Sequence, residues 1–566
     1  VRKRKMNRET QAHFSNLPTI DIKRSKFKRP FTHKTTLNTG SIYPIYVDSD
    51  ILPGDTIQMN AAEIIRMSTP IYPVMDNAFC DIMFFFIPHR LIWEHWPEFW
   101  GENKSTYWEQ QVEYEIPQIE APTGGWAKGS LMDYMGIPTE VDGISVNHLP
   151  VRAYCKIWED WFRDENLKDP AFYNIDETTL TGKNVDSNYD YVTYTQLGAA
   201  PLKAAKFHDY FTSALPEPQK GPDVMIPLGD TAPVYARSTG NPDPRYTRDS
   251  LQLTSDLTTA TTGFWNVIGN TVTTPDFVVH NLYMNESSPV NPGTQDLQGP
   301  LSPSNLYTDL QLATGATIDQ LRQAIAIQEF YEAQARGGSR YIEFIKNIFG
   351  VTSPDARQQR SEYLGGQRFR INMDQVLQTS STDSTSPQGN TAAFSCTTNR
   401  ADMFTYSATE HGTLLGVCVI RTDHTYQQGI DRMWNRKKWT DFYVPQFANL
   451  GEQAILNKEI YATGTSTDDE AFGYQEAWAD YRYKPSYVSG ALRSNYAQSL
   501  DAWHYADDYS SQPYLSSEWI DEVTSNVDRT LAISSAVEDQ FIADFYFDPV
   551  YVRPMPVYSV PGLEKF

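Results

Sequence analysis

Apolar and polar positions alternate at strand spacing in two widely separated parts of the chain, one near each end. Residues 41–47 alternate apolar and β-branched side chains. A Pro53-Gly54-Asp55 turn then leads into a second extended run at 56–59. Residues 78–87 (AFCDIMFFFI) are apolar on both alternating faces apart from Asp81, the pattern of a strand buried on both sides. Near the other end, 413–421 (TLLGVCVIR) reads as a core strand, and 527–534 and 540–547 read as further strands.

Helical periodicity interrupts this pattern in three zones. Trp93, Trp96 and Trp100 recur at i, i+3 and i+7, with Pro97 forcing a start or kink. Val151, Tyr154, Trp158, Trp161 and Phe162 follow Pro150, which suits a first-turn position. Thr317 to Gln320 forms a capping box ahead of Leu321, Ile325, Gln328, Tyr331 and Ala335. Gly337-Gly338 stops that helix, and a second piece runs over 339–350.

Residues 235–305 are rich in Thr, Ser, Asn, Gly and Pro and read as an inserted, outward-facing excursion with short strands at 264–267 and 276–282. A second Ser/Thr-rich loop spans 379–399. The tail, 548–566, carries Pro549, Pro554, Pro556 and Pro561 and is expected to be extended and excluded from mid-sheet. Strands at both ends with very long insertions between them fit a β-sandwich whose first and last strands lie far apart in sequence.

Charge sharpens this picture. The first 34 residues hold eleven Lys or Arg and two acids, Glu9 and Asp21, a balance of about +9. The whole chain is −23, so residues 35–566 carry 36 bases against 68 acids. A basic arm on an acidic body reads as a tether for a polyanion, because phosphate attraction is strong and sequence-independent. From Asp249 through Leu321 there is no Lys or Arg, which argues against nucleic-acid contact there. Aromatics make up 13% and charged residues 21% of the 566, favouring sheets, turns and aromatic contact surfaces over long charged helices.

The four cysteines form no CxxC pair, so neither a zinc site nor a disulfide scaffold is signalled, and a reducing compartment fits. No apolar run is long enough for a signal core or a membrane span. The nucleotide-binding and nucleophile motifs GxGxxG, GxxxxGK[ST] and GxSxG are absent, as is HExxH. No cofactor is expected. His89 and His95 flank Glu94 without metal-ligand spacing and read as packed side chains. Asp48, Asp50 and Asp55 around Gly54 could offer oxygen ligands to calcium, but a plain turn is the simpler reading. Asp468-Asp469-Glu470 reads as a solvated acidic face.

Two basic clusters are candidate DNA contacts. In the arm, Arg2, Lys3, Arg4, Lys5, Arg8, Lys23, Arg24, Lys26, Lys28 and Arg29 would take phosphates while Phe27 and Phe31 stack on unpaired bases. The second cluster is Arg432, Trp434, Arg436, Lys437 and Lys438, followed by Trp439. Asp431 and Asp441 flank it, so local ion pairs are an equal reading.

Several long segments carry a family resemblance. They include FKRPFTHKTTLNTGSIYPIYVDSDILPGDT (27–56), TPIYPVMDNAFCDIMFFFIPHRLIWEHWPEFWGEN (69–103), ARGGSRYIEFIKNIFGVTSPDARQQRSEYLGG (335–366) and FIADFYFDPVYVRPMPVYSVPGL (541–563). The chain resembles the major capsid proteins of the microviruses (Microviridae), small single-stranded-DNA bacteriophages, and most closely their gokushovirus branch. The resemblance implies a mainly β fold, an eight-stranded antiparallel jelly roll with large loop insertions containing several α-helices, and a non-enzymatic role. It implies a basic arm at 1–34, a jelly-roll domain at 35–566, a variable surface insertion at 235–305 forming a threefold protrusion, and a Pro-rich C-terminal arm at 548–566. It further implies assembly through pentamers into a T=1 icosahedral shell around circular single-stranded DNA. Implied partners are an internal scaffolding protein, a pilot protein, a small basic DNA-packaging protein and a host receptor met through about 249–295, with no membrane insertion. Its place would be the virion, and the host cytoplasm during assembly. The alternative reading from the residues is a β-sandwich glycan-binding protein or glycoside hydrolase, prompted by aromatic richness and acidity.

Overall fold

The computed structural model describes residues 23–102, 113–224, 318–380, 382 and 387–558, together with six strands between 225 and 317. It falls into two compact units, residues 1–220 with 332–566, and residues 221–331.

The larger unit is built on two antiparallel sheets. Its barrel strands are β1 (Ser25–Lys28), β2 (Phe31–Leu37), β3 (Tyr43–Ile51), β4 (Thr56–Met67), β5 (Ala78–Pro88), β6 (Glu362–Arg370), β7 (Thr397–Ser407), β8 (Gly412–Thr422) and β9 (Phe541–Arg553). One sheet has the order β1/β2–β9–β4–β7, with β1 and β2 pairing successive stretches of β9. The other has the order β6–β5–β8–β3. Counting β1 and β2 as one broken edge strand, each sheet is four strands wide. The chain passes from sheet to sheet at almost every step, and the last strand lies between the first and the third. That is the jelly-roll connection, which explains why sequence-distant ends build one barrel. The mainly β, antiparallel jelly-roll expectation is borne out.

Strand alternation divides the apolar residues into layers. Ile57, Met59, Phe84, Phe86, Leu414, Cys418, Phe545 and Phe547 face the space between the sheets. Phe85, Ile87, Leu415, Val417 and Val419 face the other way, under a cover of Trp93, Trp126, Tyr154 and Trp158. The β6–β5–β8–β3 sheet is therefore buried on both faces, as the doubly apolar run in β5 demands. The cover comes from the 273-residue excursion between β5 and β6, including helix α1 (Leu149–Ile157) with Pro150 in its first turn. Asp81, the polar exception in β5, accepts from Arg368 on β6 and Arg421 on β8, each at 2.5 Å.

A satellite core forms where Tyr210 and Phe211 of the excursion between β5 and β6 meet Tyr426, Ile455, Ile460 and Trp519 of the excursion between β8 and β9. A buried polar cluster ties it to the end of β8. His424 lies 3.0 Å from both Asp507 and Glu522, and Lys206 reaches Asp507 at 3.4 Å. Burial alone would lower His424, but the two carboxylates outweigh it and push it up to about 10. Burial likewise opposes ionisation of Asp507, yet Lys206 and His424 hold it well below the usual carboxylate range.

Helix α2 (Ile318–Gly337) is followed by α3 (Tyr341–Phe349), with Gly338 at φ +87° between them. Thr317, the start of the expected capping box, lies outside the described residues. In the smaller unit, Leu253–Ser255, Gln298–Pro303, Val278–Glu286 and Trp265–Thr273 form an antiparallel four-stranded sheet in that order, and Val234–Ala236 pairs Leu306–Thr308.

Three sequence expectations need correction. Residues 527–534 are not a strand. Val527 and Leu531 are both buried but four residues apart, in a helical turn (Ser525–Asp528) and the turns after it. The Trp93–Trp100 zone gives only one α-turn, Trp96–Phe99, with Pro97 at its start. Pro549 does sit in mid-sheet, within β9. The Arg29 N–H donates to the Pro549 carbonyl at 3.1 Å, so the backbone of residue 549 faces the break between β1 and β2. The donor that proline lacks points at that break, and no ladder bond to β4 is lost.

Candidate assembly and nucleic-acid surfaces

Among the described residues the arm enters the sheet at Ser25. From Ser25, Lys26 and Lys28 alternate with Phe27, which packs on the barrel core while the lysines point to solvent. Lys23, Arg24, Lys26 and Lys28 are exposed and make no ion pair among the described residues. Arg2, Lys3, Arg4, Lys5 and Arg8 lie outside the described residues. Arg29 differs from its neighbours. Its guanidinium bonds Asp48 at 2.8 Å and lies 5.2 Å over the Tyr551 ring. Arg553 covers the same ring at 4.4 Å and bonds Asp55 at 2.9 Å. Tyr551 donates to Asp48 at 2.6 Å and meets the Tyr46 hydroxyl at 2.7 Å. Burial first, and the neighbouring Tyr46 and Asp48 next, push the Tyr551 hydroxyl far up, so it stays a donor. The result is a latch at the junction of β1 and β2. Lys34 adds an exposed pair with Asp544 at 3.4 Å.

The same contacts tie Asp48 and Asp50, at the end of β3, to Asp55 in the turn that follows. Asp48 answers Arg29, Asp55 answers Arg553 and accepts the Leu52 N–H at 3.0 Å, and Asp50 donates its N–H to Asp48 at 3.1 Å. Among the described residues one set brings three ligand atoms within 4.8 Å: Glu94, His95 and Glu177. Sequence reading missed Glu177, which is 82 positions beyond His95. His95 stacks on Tyr114 at 4.6 Å. His89 is buried against Trp96, meets the Thr413 hydroxyl at 3.1 Å, and is lowered to about 4 by burial. Asp468 caps a turn, accepting from Thr463 and Gly464, and Asp469 pairs with Lys458.

The second basic cluster divides. Arg432 bonds the buried Glu459 at 3.3 Å and the Ala454 carbonyl at 2.9 Å. Arg436 pairs with Asp480 and lies over the rings of Tyr481 and Phe442 at 4.4 and 5.4 Å. Both guanidiniums are thus engaged within the chain. Lys437 and Lys438 remain exposed; the N–H groups of both donate to the Asp441 carboxylate at 2.8 Å. Trp434 and Trp439 project outward, 74% and 71% exposed. Sequence reading did not anticipate that Tyr481, Tyr483 and Tyr487 would join them from 40 to 50 residues further on.

Among the described residues no helix is long and apolar enough to cross a membrane. Comparison with known proteins agrees with the barrel. A family model described as "Capsid protein (F protein)" matches residues 15–563. Capsid protein VP1 of Bdellovibrio phage phiMH2K is 42% identical over 565 residues, covering 98% of both chains. Capsid protein VP1 of Spiroplasma virus 4 is 42% identical over 575 residues, covering all of both, and that of Chlamydia phage 1 is 38% identical over 603, covering 99% of both. With the match running almost from end to end and the jelly roll in place, this chain belongs to the capsid protein (F protein) family.

Proposed function

We propose that this chain is the structural major capsid subunit of a single-stranded-DNA bacteriophage and assembles into a closed T=1 icosahedral shell. The observation that carries the reading is the jelly-roll barrel with very long excursions between β5 and β6 and between β8 and β9. A barrel of this kind supplies a rigid wall, and its excursions supply contact area without enlarging the core. The constellation that most resembles catalytic machinery, His424 with Asp507 and Glu522, is sealed from solvent, which supports a structural role over glycan hydrolysis. Electron microscopy of purified particles tests the assembly.

In this reading the basic arm meets the packaged DNA, with Arg2, Lys3, Arg4, Lys5 and Arg8 as the principal phosphate contacts. Support comes from the charge contrast and from Lys23, Arg24, Lys26 and Lys28, which continue it and make no ion pair among the described residues. The log affinity for single-stranded DNA should fall steeply with log salt, and changing Arg2, Lys3, Arg4 and Lys5 to Ala should flatten that slope. An unchanged slope would assign the cluster to protein or solvent.

The base-free stretch in the smaller unit would face outward and meet the host. Deleting about 249–295 should spare assembly and abolish adsorption to host cells; normal adsorption would sink this assignment. A scaffolding protein, a pilot protein and a small basic DNA-packaging protein complete the proposed set of partners, and assembly passes through pentamers in the host cytoplasm.

A further inference from the structure

The cluster at 432–439 was read from sequence equally as a DNA contact or as a set of local ion pairs, and its surroundings have the chemistry of a protein interface. Trp434, Trp439, Phe442, Tyr443, Tyr481 and Tyr487 are exposed on average by about three-fifths, and at roughly 200 Å² per aromatic side chain they present roughly 700 Å² to solvent. Met433 and Tyr483 add to this. Most of the face is joined by shared depressions and ring contacts, and the Trp439 ring stacks on Phe447 at 5.9 Å. Met433, Trp434, Lys484 and Tyr487 line one depression, and Met433, Arg436, Tyr481 and Tyr483 line the next. Tyr443 and Tyr481 rings then meet at 6.1 Å. A lone soluble protein exposes apolar patches of about 300–600 Å², whereas a specific interface takes about 800 Å² from each partner.

Charge decides between the two classes of partner. A single-stranded nucleic acid track needs cations free to meet successive phosphates. Here Arg432 pairs with Glu459, Arg436 with Asp480, Arg482 with Glu476 and Lys484 with Asp431. Lys437 and Lys438 make no side-chain ion pair among the described residues, while their backbone N–H groups donate to Asp441, and Arg493, which lines the same face, donates to the Gln427 carbonyl at 2.8 Å. Aromatic anchors with neutralised guanidiniums and few free lysines are the composition of interface cores between proteins.

We propose that this aromatic face docks on a second copy of the chain. The proposal rests on the shell reading above, since a shell subunit must bury such area against its own copies.

The test is the full chain carrying Trp434→Ser and Trp439→Ser, produced with the phage's other structural proteins beside the unmodified chain. Both side chains are largely exposed, so the melting temperature should hold within a few degrees. Closed particles should fall about tenfold or more, the size of effect that interface anchors produce, with subunits or small oligomers accumulating in sedimentation. Affinity for oligo(dT) should stay within about twofold of the unmodified chain. Normal particle yield overturns the proposal. If affinity for oligo(dT) then drops about tenfold, the face belongs to nucleic acid. Should the double variant unfold, Tyr487→Ser alone is read by the same two measurements. If the unmodified chain gives no closed particles, it is the shell reading that fails.

Discussion

Glu63 occupies an unusual place for a carboxyl group. It lies on β4 and points between the two sheets, where it is 1% exposed. The Asn399 side-chain N–H donates to Oε2 at 3.0 Å, while Oε1 has no hydrogen-bond partner among the described residues. Burial pushes its pKa up from 4.5 to about 7. The sign follows from linkage. The folded protein holds the proton more tightly than the unfolded chain, so Glu63 favours the fold most below pH 4.5 and loses that contribution as pH rises through about 7. Glu63→Gln keeps the Asn399 contact and removes the charge. It should raise stability at pH 8 by about 1–3 kcal/mol and change little at pH 4, as read from melting temperatures of the unassembled subunit. Equal effects at both pH values would show that Glu63 does not titrate in the core. His424 works in the opposite setting: burial would lower it, but the two carboxylates that surround it outweigh burial and favour the imidazolium.

Among the elements, the first edge strand links barrel to function. The break at Arg29-Pro30 would leave the arm loosely paired, but Arg29 binds Asp48 and stacks on Tyr551 just where β1 gives way to β2. Asp48→Asn should therefore raise the rate of trypsin cleavage at Lys26 and Lys28 severalfold in the unassembled subunit, with only a small fall in melting temperature. Unchanged cleavage would mean that β1 pairing alone holds the arm. The strands themselves were legible to different degrees. β5 and β8 could be read because their runs are apolar on both faces, which only a doubly covered strand tolerates. β6 and β7 could not, because Gly365-Gly366 and the Thr397–Arg400 stretch show no alternation. They are held by register against β5 and β4. The 527–534 stretch misled because side chains four apart, as Val527 and Leu531 are, share a face in a strand as well as in helical turns. At the candidate sites, the arm's charge was visible residue by residue. The partners that neutralise Arg432 and Arg436, Glu459 and Asp480, lie 27 and 44 positions away and become visible only in the fold.

At the scale of the whole molecule, a barrel with two large excursions belongs to a chain whose segments differ sharply in chemistry. The arm is cationic, the stretch from Asp249 to Leu321 carries no base, and the face around Trp434 is aromatic and nearly neutral. A free globular protein has little use for that division, whereas a subunit lying between packaged DNA, its own copies and the outside needs all three. Acidity of the body fits as well, since net charge of one sign keeps unassembled subunits apart until specific contacts form. Closed assembly is tested most directly by cryo-electron microscopy of purified particles. The expected result is icosahedral shells in which one barrel fills each T=1 position, with the face around Trp434 buried against a neighbour. Particles lacking icosahedral order, or a chain that stays monomeric even in the presence of the phage's other structural proteins, would contradict it.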